Sequence, residues 1–170
     1  MEWAKSQTSE LRFSPKKTNL TKIISEIIIL NQSSAQAKNI ALQFSSAQQI
    51  ELYTDENMVK TVLRNLIANA IKFTNFGGII KILVNITKEQ AEIAIIDNGI
   101  GMSKKAIREI FDTNTSITST GTANEKGSGL GLILCKQLVK KLNGNLLVES
   151  EIGKGSTFKL ILPLSTSTNN

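Results

Sequence analysis

The chain contains no histidine. Any chemistry that needs an imidazole, whether as base, nucleophile or metal ligand, must take it from another segment. The one cysteine, Cys135, rules out an internal disulfide framework and fits a reducing compartment. Within LILCKQLV it reads as a small core residue rather than a reactive thiol. One Tyr and one Trp are too few to stack a single-stranded nucleic acid. No apolar run approaches the roughly 20 residues that cross a bilayer. The start, MEWAKSQTSELRF, lacks the apolar stretch of a signal peptide. A cytoplasmic domain is the expectation.

What is present is ordinary for a soluble globular chain: 41% hydrophobic and 20% charged residues over 170 positions, enough for one domain. The formal net charge is +6. Its lysines come as scattered doublets, Lys16-Lys17, Lys104-Lys105 and Lys140-Lys141, with acids between them. That spacing describes a solvated basic surface, and no nucleic-acid partner is expected.

Residues 1–11 form a polar helical stub, followed by a short extended piece over 12–17. Asn19 or Thr18 can cap a helix from Leu20 to about Gln36, with Ile23, Ile24, Ile27, Ile28 and Leu30 as its apolar stripe. IALQFSSA and IELYT alternate as two strands around a short polar turn. Asp55 stands where a cap belongs for a helix through Lys72, with Met58, Val62, Leu63, Leu66, Ile67, Ala70 and Ile71 on its apolar face. Two strands over 79–87 and 91–97 suggest an antiparallel hairpin. A short helix follows Ser103, and 112–128 is a long polar loop of the kind that serves as a lid or binding loop. A helix from about Leu130 to Leu142 and two strands, NLLVESE and STFKLILP, close the domain before the STSTNN tail, expected to be disordered. Strands in hairpins with helices between them predict an α+β two-layer sandwich, a mixed and mostly antiparallel sheet covered on one face by helices.

Three places could carry chemistry. Asn65, Asn69 and Lys72 fall at i, i+4 and i+7, which puts two amides and an ammonium on one helix edge. Amide oxygens suit Mg2+ and lysine suits phosphate, though a solvated polar edge would look the same. In DNGIGM, Asp97 ends an apolar strand and can accept a bond from an exocyclic amine; Gly99 and Gly101 let a ligand come close. A plain Asx turn is the alternative. In KGSGLGL, Gly127, Gly129 and Gly131 open a helix whose backbone N–H groups can face an anion, or else form a flexible hinge. Its spacing is neither that of a dinucleotide fingerprint nor that of a Walker A loop.

In their order, NLIANAIKFT, DNGIGM, KGSGLGL and GKGSTF resemble the N box, G1 box, G2 box and last Gly/Thr motif of the sensor histidine kinase catalytic domain. That domain has the Bergerat ATP-binding fold of the GHKL superfamily, which also holds type II topoisomerases, mismatch-repair ATPases and a chaperone family. The resemblance covers roughly residues 12–163. It implies that 1–17 is the end of a dimerisation helix with its linker, that 18–164 is the catalytic domain, and that 112–128 is the ATP lid. It implies ATP and Mg2+ as cofactors: Asp97 accepting the adenine amine, Asn69 holding Mg2+, Asn65 and Lys72 lining the same wall as catalytic residues, and Phe73 closing the pocket. Gly127, Gly129 and Gly131 would contact phosphates through backbone amides, with Lys126 adding a charge there; Gly99, Gly101 and Leu130 would also be ATP-binding, and Thr157 would reach the base region through water.

The hydrolysing relatives carry a glutamate base where this chain has Asn65, and an amide cannot take a proton at neutral pH. The resemblance therefore implies a protein-histidine kinase that transfers the γ-phosphoryl of Mg-ATP to a histidine outside this chain. Alternatives are a passive ATP-binding regulatory module or a GHKL-type ATPase. Implied partners are the His-bearing dimerisation domain of the parent kinase and a response regulator receiver domain. The fragment is expected to be a monomer inactive in autophosphorylation, and the parent a homodimer. One departure is the lack of a second aromatic after Ile110-Phe111, where IFDTNTS stands.

Overall fold

Asn19 starts the first helix, α1 (Leu20–Ala37), by accepting the Lys22 N–H on its side chain at 2.9 Å. Leu20, Ile23, Ile24, Ile27 and Ala35 are buried, whereas Ile29 and, against the expected stripe, Leu30 lie exposed, because Leu30 falls outside the helical period of the buried set. Asn39, at φ 53°, ends the helix in the left-handed region that asparagine tolerates. These coordinates are a computed structural model describing residues 12–46, 49–112 and 120–164. Expectations for the 1–11 stub, the turn at 47–48, the 113–119 part of the polar loop and the 165–170 tail lie outside the described residues.

The second helix, α2 (Glu56–Phe73), is capped by Asp55, which accepts Met58 N–H on one oxygen at 3.0 Å and Ser14 N–H on the other at 2.8 Å. One aspartate thus starts the helix and holds down the incoming chain. Val59, Val62, Leu63, Leu66 and Ile67 are fully or almost fully buried. Each such side chain contributes roughly 1.5–3 kcal/mol of burial free energy.

Five strands form the main sheet: β2 (Ala41–Phe44), β4 (Ile79–Ile86), β5 (Gln90–Asp97), β6 (Asn145–Glu151) and β7 (Gly155–Pro163), in the order β2-β4-β5-β7-β6. All pairs are antiparallel except β2–β4. Strand parity sends Ile80, Ile82, Ile93, Ile95, Phe158, Leu160 and Leu162 to the buried face under the helices. Two further helices, α3 (Lys104–Glu109) and α4 (Gly131–Lys141), complete this layer, α4 packing on α2 through Cys135, Leu138 and Val139. Burial pushes the Cys135 thiol up to about 12, as suits a core residue. The α+β sandwich expected from the sequence is the observed architecture.

One pairing differs from expectation. β2 and β3 (Glu51–Thr54) do not form a hairpin: β2 joins β4 in parallel, while β3 pairs with β1 (Lys16–Asn19) in a separate two-stranded ribbon. The partners are non-local. Ala41 N–H donates to Gly78 O at 3.0 Å, and Leu20 N–H donates to Ile50 O at 2.7 Å, so each strand's edge is taken by a different neighbour. The ribbon is fixed to α2 by charge: Lys16 of β1 meets Glu56 at 2.6 Å, and Glu56 is braced within the helix by Lys60 at 2.8 Å. It also gathers the two ends of the described fold, since Tyr53 N–H donates to Leu164 O at 3.4 Å. Among the described residues, no helix is long and apolar enough to cross a membrane.

Candidate functional site

A cavity of about 320 Å3 opens between the C-terminal half of α2, the loop after β5 and the start of α4. That volume falls in the range of small-molecule sites. Asn65, Asn69, Lys72, Phe73, Asp97, Gly101, Lys126, Gly127, Gly129 and Gly131 all line it, so residues from three distant motifs share one wall.

Asp97 ends β5 at the cavity floor, 7% exposed. Its Oδ1 accepts the N–H of Gly99 at 2.8 Å and of Ser156 at 3.2 Å. Oδ2 takes no donor among the described residues, so the free lone pairs are on the other oxygen. Burial pushes the carboxyl above its ordinary value, and the two N–H bonds oppose that shift without cancelling it. The loop is held by main chain: Ile100 N–H donates to Phe73 O at 3.0 Å and Gly153 N–H to Ile100 O at 2.8 Å. Gly101 sits at φ 66°, where a side chain would run into the Glu151 carbonyl.

On α2, Asn65 donates from Nδ2 to Thr61 O at 2.9 Å, which turns its Oδ1 toward Gly131. Asn69 is half-buried and makes no side-chain hydrogen bond among the described residues. A half-buried amide without a partner on the wall of a cavity is available to a ligand or cation. The Lys72 ammonium stands 4.9 Å from the Phe73 ring and beside Gly127. Opposite, α4 begins at Leu130 with no side-chain cap. Its first-turn N–H groups, with the positive end of the helix dipole, are left for an anion.

Three expected residues are not on the wall. Gly99 lies behind it, bracing Asp97 through its N–H. Leu130 is half exposed at the start of α4. Thr157 is in register with Ile96, one residue away from the Asp97–Ser156 pair, and it is Ser156 that lines the cavity. Strand parity carried this signal: Phe158, Leu160 and Leu162 are buried, so 156 shares their face and 157 does not. Ile100, Met102, Leu132 and Phe158 stand inside the motifs but had no site role in the sequence reading; with Ile110 they build the apolar side of the cavity. An apolar wall with one carboxylate at its base suits a flat heteroaromatic ring with an amine on its edge.

Such a two-layer sandwich, with an acid at a strand end, amides on a helix edge and an uncapped glycine-rich helix start, defines a nucleotide-binding ATPase-type domain. Residues 54–166 match the family described as histidine kinase-, DNA gyrase B-, and HSP90-like ATPase, and the chain belongs to that family. It is 34% identical over 155 residues to "Sporulation kinase C" of Bacillus subtilis (strain 168), covering 90% of this chain and 35% of that protein. The catalytic domain of histidine kinase ThkA superposes with a TM-score of 0.77 at 25% identity, over 89% of this chain and 97% of that one. Full-length ShkA, solved in complex with AMPPNP, gives a TM-score of 0.79 at 22% identity, over 95% of this chain and 34% of that one. The chain thus spans less than half the length of the curated relatives it matches.

Proposed function

We propose that this domain binds ATP with Mg2+ and transfers the γ-phosphoryl to a histidine carried by helices outside this chain. The observation that carries the reading is the placement of Asp97 Oδ2, Asn69 and the uncapped start of α4 around one cavity. Asp97 Oδ2 accepts the adenine amine, while Ser156, rather than Thr157, supplies the neighbouring hydroxyl. The backbone of 127–131 and the ammonium groups of Lys72 and Lys126 meet the phosphates. The AMPPNP complex of ShkA supports this assignment of ligand.

Asn69 fits as the protein ligand of Mg2+, because its amide is unpartnered on the cavity wall and magnesium keeps waters and phosphate oxygens for its remaining positions. Bound Mg2+ would offset negative charge on the transferring group. The chain's own residues hold the phosphates in line. An imidazole nitrogen then attacks the γ-phosphorus, the N–P bond forms as the β–γ bridging P–O bond breaks, and ADP leaves. What supports transfer over hydrolysis is Asn65, an amide bonded to Thr61 O, where a water-activating base would have to be a carboxylate.

The acceptor belongs to the dimerisation helices of the parent kinase, a homodimer in the cytoplasm, and the phosphoryl group passes on to a response regulator receiver domain. ThkA, solved with response regulator protein TrrA, supports that partner class. Calorimetric titration with Mg·AMPPNP tests the first half: no adenine-nucleotide binding at millimolar concentration removes the proposal. The second half is tested by adding the parent's His-bearing helices and following labelled phosphate. Binding without transfer to histidine would convert the domain to a passive regulatory module.

A further inference from the structure

Lys38 is a buried cation that the nucleotide reading leaves unused. It follows the last turn of α1, with its side chain 5% exposed. Its ammonium donates to Ile71 O at 2.8 Å, to Lys72 O at 3.0 Å, to the Thr122 hydroxyl and to Glu125 Oε1 at 3.1 Å. Its own carbonyl accepts Gly77 N–H at 2.9 Å. An ammonium out of water is costly unless its donors are all used, and here they are. Two of the acceptors are C-terminal carbonyls of α2, where the helix dipole favours a cation.

The other two acceptors belong to a turn over 121–125. Gly121 N–H donates to Glu125 O at 2.8 Å and Ala123 N–H to Glu125 Oε2 at 2.8 Å, so the turn is closed on itself. Burial raises the Glu125 carboxyl, but the N–H groups of Glu125 and Ala123 and the Lys38 ammonium outweigh it and hold the group below its ordinary value. Thr122 N–H donates to Lys72 O at 3.0 Å, and its hydroxyl donates to Thr74 O at 2.7 Å while accepting from Lys38. Immediately after this turn comes the 126–131 segment that lines the cavity opposite α2. Lys72 belongs to both sides: its carbonyl receives the turn, and its ammonium lies beside Gly127.

We propose that Lys38 is a positioning residue for phosphate binding: by fastening the 121–125 turn to the end of α2, it sets where the glycine loop and the start of α4 stand relative to Asn69 and Lys72. Lys38 itself does not reach the cavity wall. The turn and the glycine loop share one backbone, so a turn released from α2 lets the loop drift by ångströms and separates the two phosphate-facing walls. The base side, held by Asp97, Gly99 and Ser156, makes no hydrogen bond to Lys38 or the 121–125 turn among the described residues and meets α2 independently, through Ile100 N–H and Phe73 O. This inference rests on the nucleotide reading given above, and it predicts that the phosphate and base ends of the site respond differently.

The test uses the chain with Lys38→Met, which keeps a linear side chain of similar length without the ammonium, and with Thr122→Val, which leaves Lys38 in place. Mg·AMPPNP and adenosine are titrated separately by NMR, and amide exchange is followed at Thr122 and Ile95. Both variants should lose about tenfold in AMPPNP affinity and less than about twofold in adenosine affinity. Thr122 should lose exchange protection while Ile95 keeps it. Unchanged AMPPNP affinity in both variants overturns the proposal, as does an equal loss for adenosine, which would mark general damage. If Lys38→Met does not fold, Thr122→Val decides by the same comparison. A wild-type chain that binds no adenine nucleotide would overturn the nucleotide reading itself, and this inference with it.

Discussion

Ser156 donates its backbone N–H to Asp97 Oδ1 across the β5–β7 pair at 3.2 Å, and Gly99 donates to the same oxygen. Strand β7 and the loop after β5 thus saturate one oxygen of a buried carboxylate and leave Oδ2 to the cavity. A carboxylate held this way is oriented before any ligand arrives, so little is lost in ordering it on binding.

Asp97→Asn keeps Oδ1 for both N–H groups but can present an amide N–H where an adenine amine also donates. Adenine-nucleotide affinity should fall by about 100-fold, the cost of an unpaired buried donor, as read by titration with Mg·AMPPNP. Stability should move the other way. The folded carboxyl has a raised pKa, so wild-type stability is lost as pH climbs from the unfolded value through the folded one. Above that window Asp97→Asn should melt at or above the wild-type temperature. A variant that melts lower at neutral pH would contradict the assigned desolvation.

Ser156 and Thr157 differ only in which face of β7 they occupy. Ser156→Ala should weaken AMPPNP binding severalfold, whereas Thr157→Val should change it by less than about twofold. The reverse order would mean that the base is bound from the outer face of the sheet. Ser156 Oγ is also 2.9 Å from Ser150 Oγ, so Ser150→Ala should show a weaker version of the same loss.

Gly101 has φ 66° and faces the Glu151 carbonyl with no room for a Cβ. Gly101→Ala should cost about 1–3 kcal/mol or more, through left-handed backbone strain plus a steric clash with main chain. A urea melt in which the midpoint does not shift would show that the loop relaxes freely.

Glu56 joins α2 to β1 through Lys16 and pairs within α2 with Lys60, and those two bonds lower its carboxyl from 4.5 to about 2. The depressed value makes its contribution complete above the unfolded pKa and lost as pH falls through about 2. All three groups are partly open to solvent, so screening limits the effect: Glu56→Gln should cost less than about 1 kcal/mol at neutral pH. Denaturant melts at low and high salt should show that small difference shrinking with salt and vanishing in acid.

The helices were legible because their signals are local. Asn19 and Asp55 cap where short polar residues precede an apolar period, and the isoleucine and leucine spacing in between gives each buried face. Strand pairing was not. Nothing within Ala41–Phe44 says that Ile79–Ile82 will lie beside it in parallel, since that choice is made by groups nearly forty residues along the chain. The site shows the same division. Asp97, Asn65, Asn69, Gly101, Gly127, Gly129 and Gly131 converge from their motifs on one cavity, whereas the choice of Ser156 within GKGSTF needed the parity of its strand and the grouping of the apolar wall needed the fold. Lys38 gives no sign in its own neighbourhood, because Ile71, Thr122 and Glu125 come to it from far along the chain.

Leu164 is held on the ribbon through Tyr53, and Ser14, just before β1, is held by Asp55, the residue that follows β3 and caps α2. Leu164 also donates to Glu89 O, at the end of β5 and β7 away from Asp97 and Ser156. Seven residue steps along those strands separate the two ends, a span of about 24 Å. Leu164 and the Asp97–Ser156 pair therefore sit at opposite ends of the same two paired strands. The paired strands between them act as a stiff strut, so a pull on the chain at Leu164 leaves the far end, where Asp97 faces the cavity, in its own shape.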